Sequence, residues 1–254
     1  MRKLKAVYLK TLQNQYEYRA NWLPDLPLTI GAVGKIDEGV FQPFTTLEKL
    51  DILVESASRN GEKLDFKSNN SISVEFKAEG STNAAFKSIT SGEAGFLVKF
   101  GKEQSIFLKT TSPTYRRIQN LETVEQRILD LYDQGKWKED YVFISEVVEV
   151  GSGTVLISQE GSSEVEIKAT ANLGNGEADI ADAGMGLKIM SSRGVGTEIV
   201  GSEGMTPLYK VRGIKGTGLL GRIHVGFRGG VKAVDETDGS SFDEVPFTEE
   251  EAEM

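Results

Sequence analysis

Apolar positions in the 254-residue chain follow two different periods, and the switch between them predicts its elements. Leu4, Val7, Tyr8 and Leu12 recur at three- and four-residue steps, which predicts within Leu4–Tyr18 a short helix or a helix that runs on into a strand. Trp22–Pro27 reads as an extended turn, because Pro24 and Pro27 each steer the preceding residue away from the helical region. Leu28–Val33 reads as a strand, with Gly34 and Gly39 bracketing a turn. From Lys63 to Lys109 the period becomes two. Ile72, Val74 and Phe76 alternate with polar residues, and Gly95–Phe100 and Ser105–Lys109 do the same on either side of Gly101–Gln104, as in a hairpin.

The helical period returns once. Leu121, Val124, Ile128 and Leu131 predict a helix over Glu122–Gln134, with Thr123 as its cap and Gly135 at its C-terminal end. A meander is expected next: Tyr141–Val150, a turn at Gly151–Gly153, Thr154–Ser158, a turn at Glu160–Ser163, then Glu164–Ala171. Strands over Ala183–Met190, Pro207–Ile214 and Arg222–Arg228 complete the pattern, the last with Ile223, Val225 and Phe227 on one face. The fold class expected is α+β, a long twisted and mostly antiparallel sheet with a few peripheral helices. No repeat or linker divides it, so residues 1–234 are expected to form one body and residues 235–254 an acidic tail.

Composition narrows the chemistry. Glycine is abundant, 28 residues against six prolines, in keeping with many tight turns. There is no cysteine, which removes disulfides, thiol nucleophiles and thiolate metal sites and suits a reducing compartment. No stretch approaches the roughly 20 apolar residues of a membrane-spanning helix. The basic start Met1–Lys5 has no apolar run behind it, so no secretory signal is expected. The one histidine, His224, falls mid-strand between arginines and reads as a surface or satisfied residue rather than a catalytic base. The glycine doublets match neither a phosphate loop nor a dinucleotide fingerprint. Asp179-Ile180-Ala181-Asp182, near Glu177, lacks the spacing of a calcium loop. Neither an enzyme, a cofactor nor a metal site is expected.

Charge is more informative than composition. The net charge of −9 is concentrated in residues 235–254, which hold nine carboxylates and no Lys or Arg. Up to Val234 the chain has 29 acidic and 29 basic residues. Within that neutral body, Arg2, Lys3, Lys5 and Lys10 cluster at the start. Lys210, Arg212, Lys215, Arg222, Arg228 and Lys232 form an acid-free run from Met205 to Val234. Two basic stretches are either ordinary solvated faces paired with neighbouring carboxylates or the mark of an anionic partner, with acidic lipid headgroups ahead of nucleic acid, for which no module is visible. The tail, with Phe242 and Phe247 among its carboxylates, is either a solvated terminus or an autoinhibitory segment masking the basic surface.

The order of these elements resembles the pore-forming domain of gasdermins over roughly Lys3–Gly230. The local likeness is carried by Leu28-Thr29-Ile30-Gly31-Ala32-Val33 and by the helix–glycine–strand unit Ile128–Ile157. The resemblance is to a bacterial-type member without a large C-terminal repressor domain. It implies a cytoplasmic, autoinhibited protein released by an activating protease. The released protein would associate with membranes through acidic lipids, assemble as a homo-oligomer and insert amphipathic β-hairpins from about Ser71–Lys109 and Glu164–Met190. It further implies lipid contacts from Arg2, Lys3, Lys5 and Lys10. The charges of the first segment, Glu75 to Glu103, would then face a lumen or lie in loops. The alternative reading is a non-catalytic, β-rich binding or assembly module whose acidic tail is a docking peptide.

Overall fold

A computed structural model of the chain describes residues 2–170, 178–184, 186–215 and 224–226. In chain order its elements are α1 (Arg2–Tyr16), β1 (Arg19–Ala20), β2 (Ala32–Asp37), β3 (Val40–Thr46), β4 (Ser56–Asn60), β5 (Asp65–Lys67), β6 (Ile72–Lys77), β7 (Ala94–Phe100), β8 (Ile106–Thr110) and β9 (Pro113–Ile118). Then come α2 (Leu121–Asp133), β10 (Val142–Ser158), β11 (Ser163–Ala169), β12 (Leu187–Arg193), β13 (Val195–Lys215) and β14 (His224–Gly226). One-turn 3-10 segments lie at Glu48–Leu50 and Ile180–Ala183. The fold is α+β, with strands paired antiparallel and two α-helices among the described residues.

The described residues fall into two compact units: the first takes those up to Thr11, within Asn60–Thr114 and within Glu149–Met205, and the second those within Leu12–Arg59, within Tyr115–Val148 and from Thr206 on. In the first unit a four-stranded sheet has the order β12-β11-β7-β6, and β5, β8 and the second half of β10 pair separately. Its core joins Ile72, Phe96, Val98, Phe100, Val165 and Ile167 of the four-stranded sheet to Phe107 of β8 and Leu156 of β10. This is the face-to-face packing that alternation produces when every second residue is apolar. Lys109 of β8 ties in the Ile180–Ala183 segment by pairing with Asp179, whose carboxylate also accepts the Ala181 amide, and with Asp65 at 3.0 Å.

The second unit sets α2 against a core of Val33, Leu47, Ile52, Ile118, Phe143 and Ile214. Helix α2 forms where the three- and four-residue spacing placed it, burying Val124 and Ile128. It ends at Gly135, whose φ of +70° glycine adopts without a Cβ penalty. Its cap differs from expectation. Asn120, not Thr123, precedes the helix, and its side chain accepts from the Glu55 amide and donates to the Leu53 carbonyl.

Other differences are instructive. Leu28–Ile30 is not strand; β2 starts at Ala32, after Gly31 turns the chain at φ +76°. Gly34 lies inside β2, where a Cβ would stand 2.2 Å from the Gln42 carbonyl oxygen. The expected hairpin across Gly101–Gln104 does not exist: β7 pairs with β6 and β11, while β8 pairs with β10 and β5. Nor does the chain turn at Gly151–Gly153. β10 continues through it for 17 residues, and a Cβ at Gly153 would crowd Thr110 and Met205 at 3.0 and 3.1 Å.

Candidate functional site

The four-stranded sheet is built from the two segments that alternate most regularly. Register fixes its faces. Ile72, Val74 and Phe76 stand opposite Phe100, Val98 and Phe96; these three stand opposite Ser163, Val165 and Ile167 of β11. Ile167 and Ala169 stand opposite Ile189 and Leu187 of β12, beyond a bulge after Glu166. That face is the core face. The other carries Ser73, Glu75 and Lys77 on β6, Lys99 on β7, Glu164, Glu166 and Lys168 on β11, and Lys188 and Arg193 on β12.

Several charges on this face are cross-paired. Lys99 Nζ lies 2.6 Å from Glu75, Arg193 lies 3.4 Å from Glu164, and Lys168 pairs with Glu93. The Lys168 ammonium, helped by the Thr90 amide, holds the Glu93 carboxyl down to about 2. Each outer strand, β6 and β12, has one strand partner in this sheet among the described residues.

The basic residues singled out from the sequence divide between the units. In the first, α1 buries Leu4, Tyr8 and Leu9 and leaves Lys3 and Lys10 exposed, with Lys5 half-buried. In the second, Lys210 sits with its ammonium 4.6 Å from the centre of the Tyr18 ring. Tyr18 donates its hydroxyl to Glu146 at 2.6 Å, and burial followed by this carboxylate pushes the phenol pKa upward. Arg212 is turned inward. Its Nη1 lies 2.8 Å from Oε1 of Glu125 on α2, whose side chain is only 5% exposed. Desolvation, partly opposed by Arg212, pushes the Glu125 carboxyl up to about 7. Lys215 is placed by its backbone, opposite His224 in the β13–β14 pair. The side chains of Arg2, Lys215 and His224, and the whole of Arg222, Arg228, Phe242, Phe247 and residues 235–254, lie outside the described residues.

One surface went unread in the sequence. The turn from Trp22 to Leu28 displays Leu23 and Leu26, 46% and 59% exposed. It is held in one shape by polar contacts. The Asn21 side chain accepts from the Leu23 amide and donates to the Leu26 carbonyl, while Thr206 takes the Leu28 amide at 2.7 Å and donates its own amide to Pro24 at 2.9 Å. The signal was present as leucines flanked by prolines, but a turn motif carries no indication of which side chains stay in water.

Among the described residues no group of three His, Cys, Asp or Glu is placed to hold a metal ion. A groove of about 630 Å³ beside α2, lined in part by Asp51, Arg127, Asp130 and Asp133, has no nucleophile set beside a base. No helix among the described residues is long and apolar enough to cross a membrane. No protein-family model matches the chain, and no curated protein matches it in sequence.

Proposed function

We propose that this chain is a gasdermin-like, membrane-permeabilising protein, cytoplasmic and autoinhibited until an activating cleavage. It then assembles on acidic lipid and lengthens its two alternating hairpins into a membrane-spanning β-barrel. The observation that carries this reading is a parity. Between Ile72 and Phe100 all six charged residues, Glu75, Lys77, Glu79, Lys87, Glu93 and Lys99, stand at odd positions, and no even position is charged. The rule holds in β6 and β7, and it also holds through the connection between them. Strands of 6 and 7 residues are short of the 9–11 needed to cross a bilayer. Drawing the sixteen connecting residues into them, less about four for a turn, gives strands of about 12 and 13 with one uncharged face. On β11, Glu164, Glu166 and Lys168 keep to one face in the same way.

The position of β6 and β12 as the outer strands of the sheet supports assembly, because an antiparallel sheet can add a second copy edge to edge. Lys3, Lys5 and Lys10 supply charge for acidic headgroups, and Leu23 and Leu26 supply an apolar contact at the interface. The test is a neighbouring pair of substitutions. Gly92 and Ser91 are both exposed, and a Cβ at Gly92 meets nothing within 4 Å, so Lys is tolerated at either in the soluble fold. Gly92→Lys puts a charge on the lipid-facing side, at about 2–4 kcal/mol near the midplane, and should abolish dye release from acidic vesicles. Ser91→Lys should preserve it. Equal activity of the two variants refutes the hairpin reading.

The depth at which the sheet's apolar face is buried favours the competing reading, a non-catalytic β-rich binding module with an acidic docking segment. That reading expects no dye release from vesicles by the wild-type protein under any cleavage condition.

A further inference from the structure

The residues between β6 and β7 lie back across the charged face of their own sheet. Glu166 on β11 is 3% exposed, and both its oxygens are taken by backbone amides of that connection: Lys87 N–H donates at 3.0 and 3.1 Å, and Ser88 N–H at 2.7 Å. Lys77, at the end of β6 and also 3% exposed, donates from Nζ to the carbonyls of Thr90 and Glu93 at 2.6 and 2.7 Å. Glu93 returns a carboxylate to Lys168. Between these polar contacts Phe86 and Ile89 pack on Leu97. Gly95 leaves room for Ile89, since a Cβ there would stand 2.4 Å from Ile89 Cδ1.

A carboxylate and an ammonium are stable at such burial only while every polar atom is matched. Here the matching groups belong to the connection. The charges and the segment therefore hold each other: if the segment leaves, Glu166 and Lys77 must find water. We propose that residues 83–93 are a clasp, latched by Glu166 and Lys77, whose opening governs lengthening of the β6–β7 hairpin. This rests on the pore-forming reading, in which the face carrying Glu166 and Lys77 becomes the wet face and supplies that water. The latch grips backbone atoms, so its strength depends on Glu166 and Lys77 more than on side chains of the segment, apart from Phe86 and Ile89.

Amide hydrogen exchange on the soluble full chain tests the clasp without a membrane. Glu166→Gln removes the charge, and Glu166→Asp draws the carboxylate back by one methylene. The Lys87 and Ser88 amides should exchange about tenfold faster or more in Glu166→Gln and to an intermediate degree in Glu166→Asp, with β7 and β11 amides within about twofold of wild type. If neither variant folds, Ile89→Ala, which leaves Glu166 intact, should shift the same amides in the same direction. Vesicles of phosphatidylcholine and phosphatidylserine, treated with protein proteolysed near Val234, should then release dye sooner with the loosened variant and to the same final extent. Unchanged exchange at Lys87 and Ser88 overturns the clasp. Faster exchange with unchanged onset of release overturns its governing role. No release by any of the proteins, wild type included, overturns the pore-forming reading and that role with it.

Discussion

Glu125 is caught between two opposed effects, and its pH response decides which is larger. It sits on α2 between Val124 and Ile128, both buried, with its carboxylate 2.8 Å from Arg212. Burial favours the neutral acid, Arg212 favours the anion, and Glu122 adds repulsion against it. With burial ahead, the carboxyl is pushed up from 4.5 to about 7, which amounts to roughly 3 kcal/mol. Below pH 4.5 the group is protonated in folded and unfolded chain alike and nothing is lost. Between 4.5 and about 7 the unfolded chain releases its proton while the folded one keeps it, and stability falls as pH rises. Above 7 the loss is complete. Glu125→Gln removes the titration and keeps an acceptor for Arg212. Relative to wild type, the variant should gain about 3 kcal/mol between pH 4 and pH 8, read as urea midpoints by the fluorescence of Trp137 in the same core. A difference that does not change with pH refutes the reasoning. One of opposite slope shows that Arg212 outweighs burial.

Phe96 is fully buried against Phe76, their ring centres 5.2 Å apart, so Phe96→Ala should lower stability by about 3–5 kcal/mol in denaturant titrations. Leu23→Asp with Leu26→Asp, in a turn already in water, should leave the melting temperature nearly unchanged. The same pair should reduce dye release from acidic vesicles about tenfold or more, since burying one leucine is worth about 1.5 kcal/mol or above. Because Lys168 and the Thr90 amide hold Glu93 down to about 2, its contribution is present above pH 4.5 and lost as pH falls through 2. Exchange of the amides from Phe86 to Glu93, corrected for the intrinsic pH dependence, should accelerate in that acid window and not between pH 5 and 8.

The sequence carried the elements better than their partners. Strands β6, β7 and β11 were legible because alternation is local: an apolar residue at every second position needs a face to bury, wherever the second sheet comes from. The pairing of β7 was not, because Gly101–Gln104 is equally a hairpin turn or a crossing between sheets, and only the register with β6 and β11 distinguishes the two. Glycine misled in a related way. Gly151 and Gly153 suggested a turn, yet Gly153 is small because Thr110 and Met205 come close, a need that local sequence does not express. For the candidate site the error has one source. A polar residue in an alternating strand reads as solvent-facing, so nothing in the sequence set Glu166 apart, Lys77 was grouped with charges expected to face a lumen or lie in loops, and Arg212 was read as a lipid contact. Their partners lie outside their own strands: Lys87 and Ser88 for Glu166, Thr90 for Lys77, and Glu125 for Arg212.

The distribution of contacts in the four-stranded sheet bears on where control of a conversion would lie. Ile72, Val98, Val165 and Ile167 leave one apolar medium for another when a core face becomes a lipid face, so their transfer changes free energy little. The polar contacts behave differently. Glu166 with two amides, Lys77 with two carbonyls and Lys109 with Asp65 and Asp179 are matched only by the soluble arrangement of the connections. Breaking them before water arrives costs about 1–3 kcal/mol for each group left unpaired. On the pore-forming reading the barrier therefore resides in the charged face and its connections. Substitutions there should alter how fast the hairpins lengthen, while substitutions on the apolar face should alter whether the soluble protein folds at all.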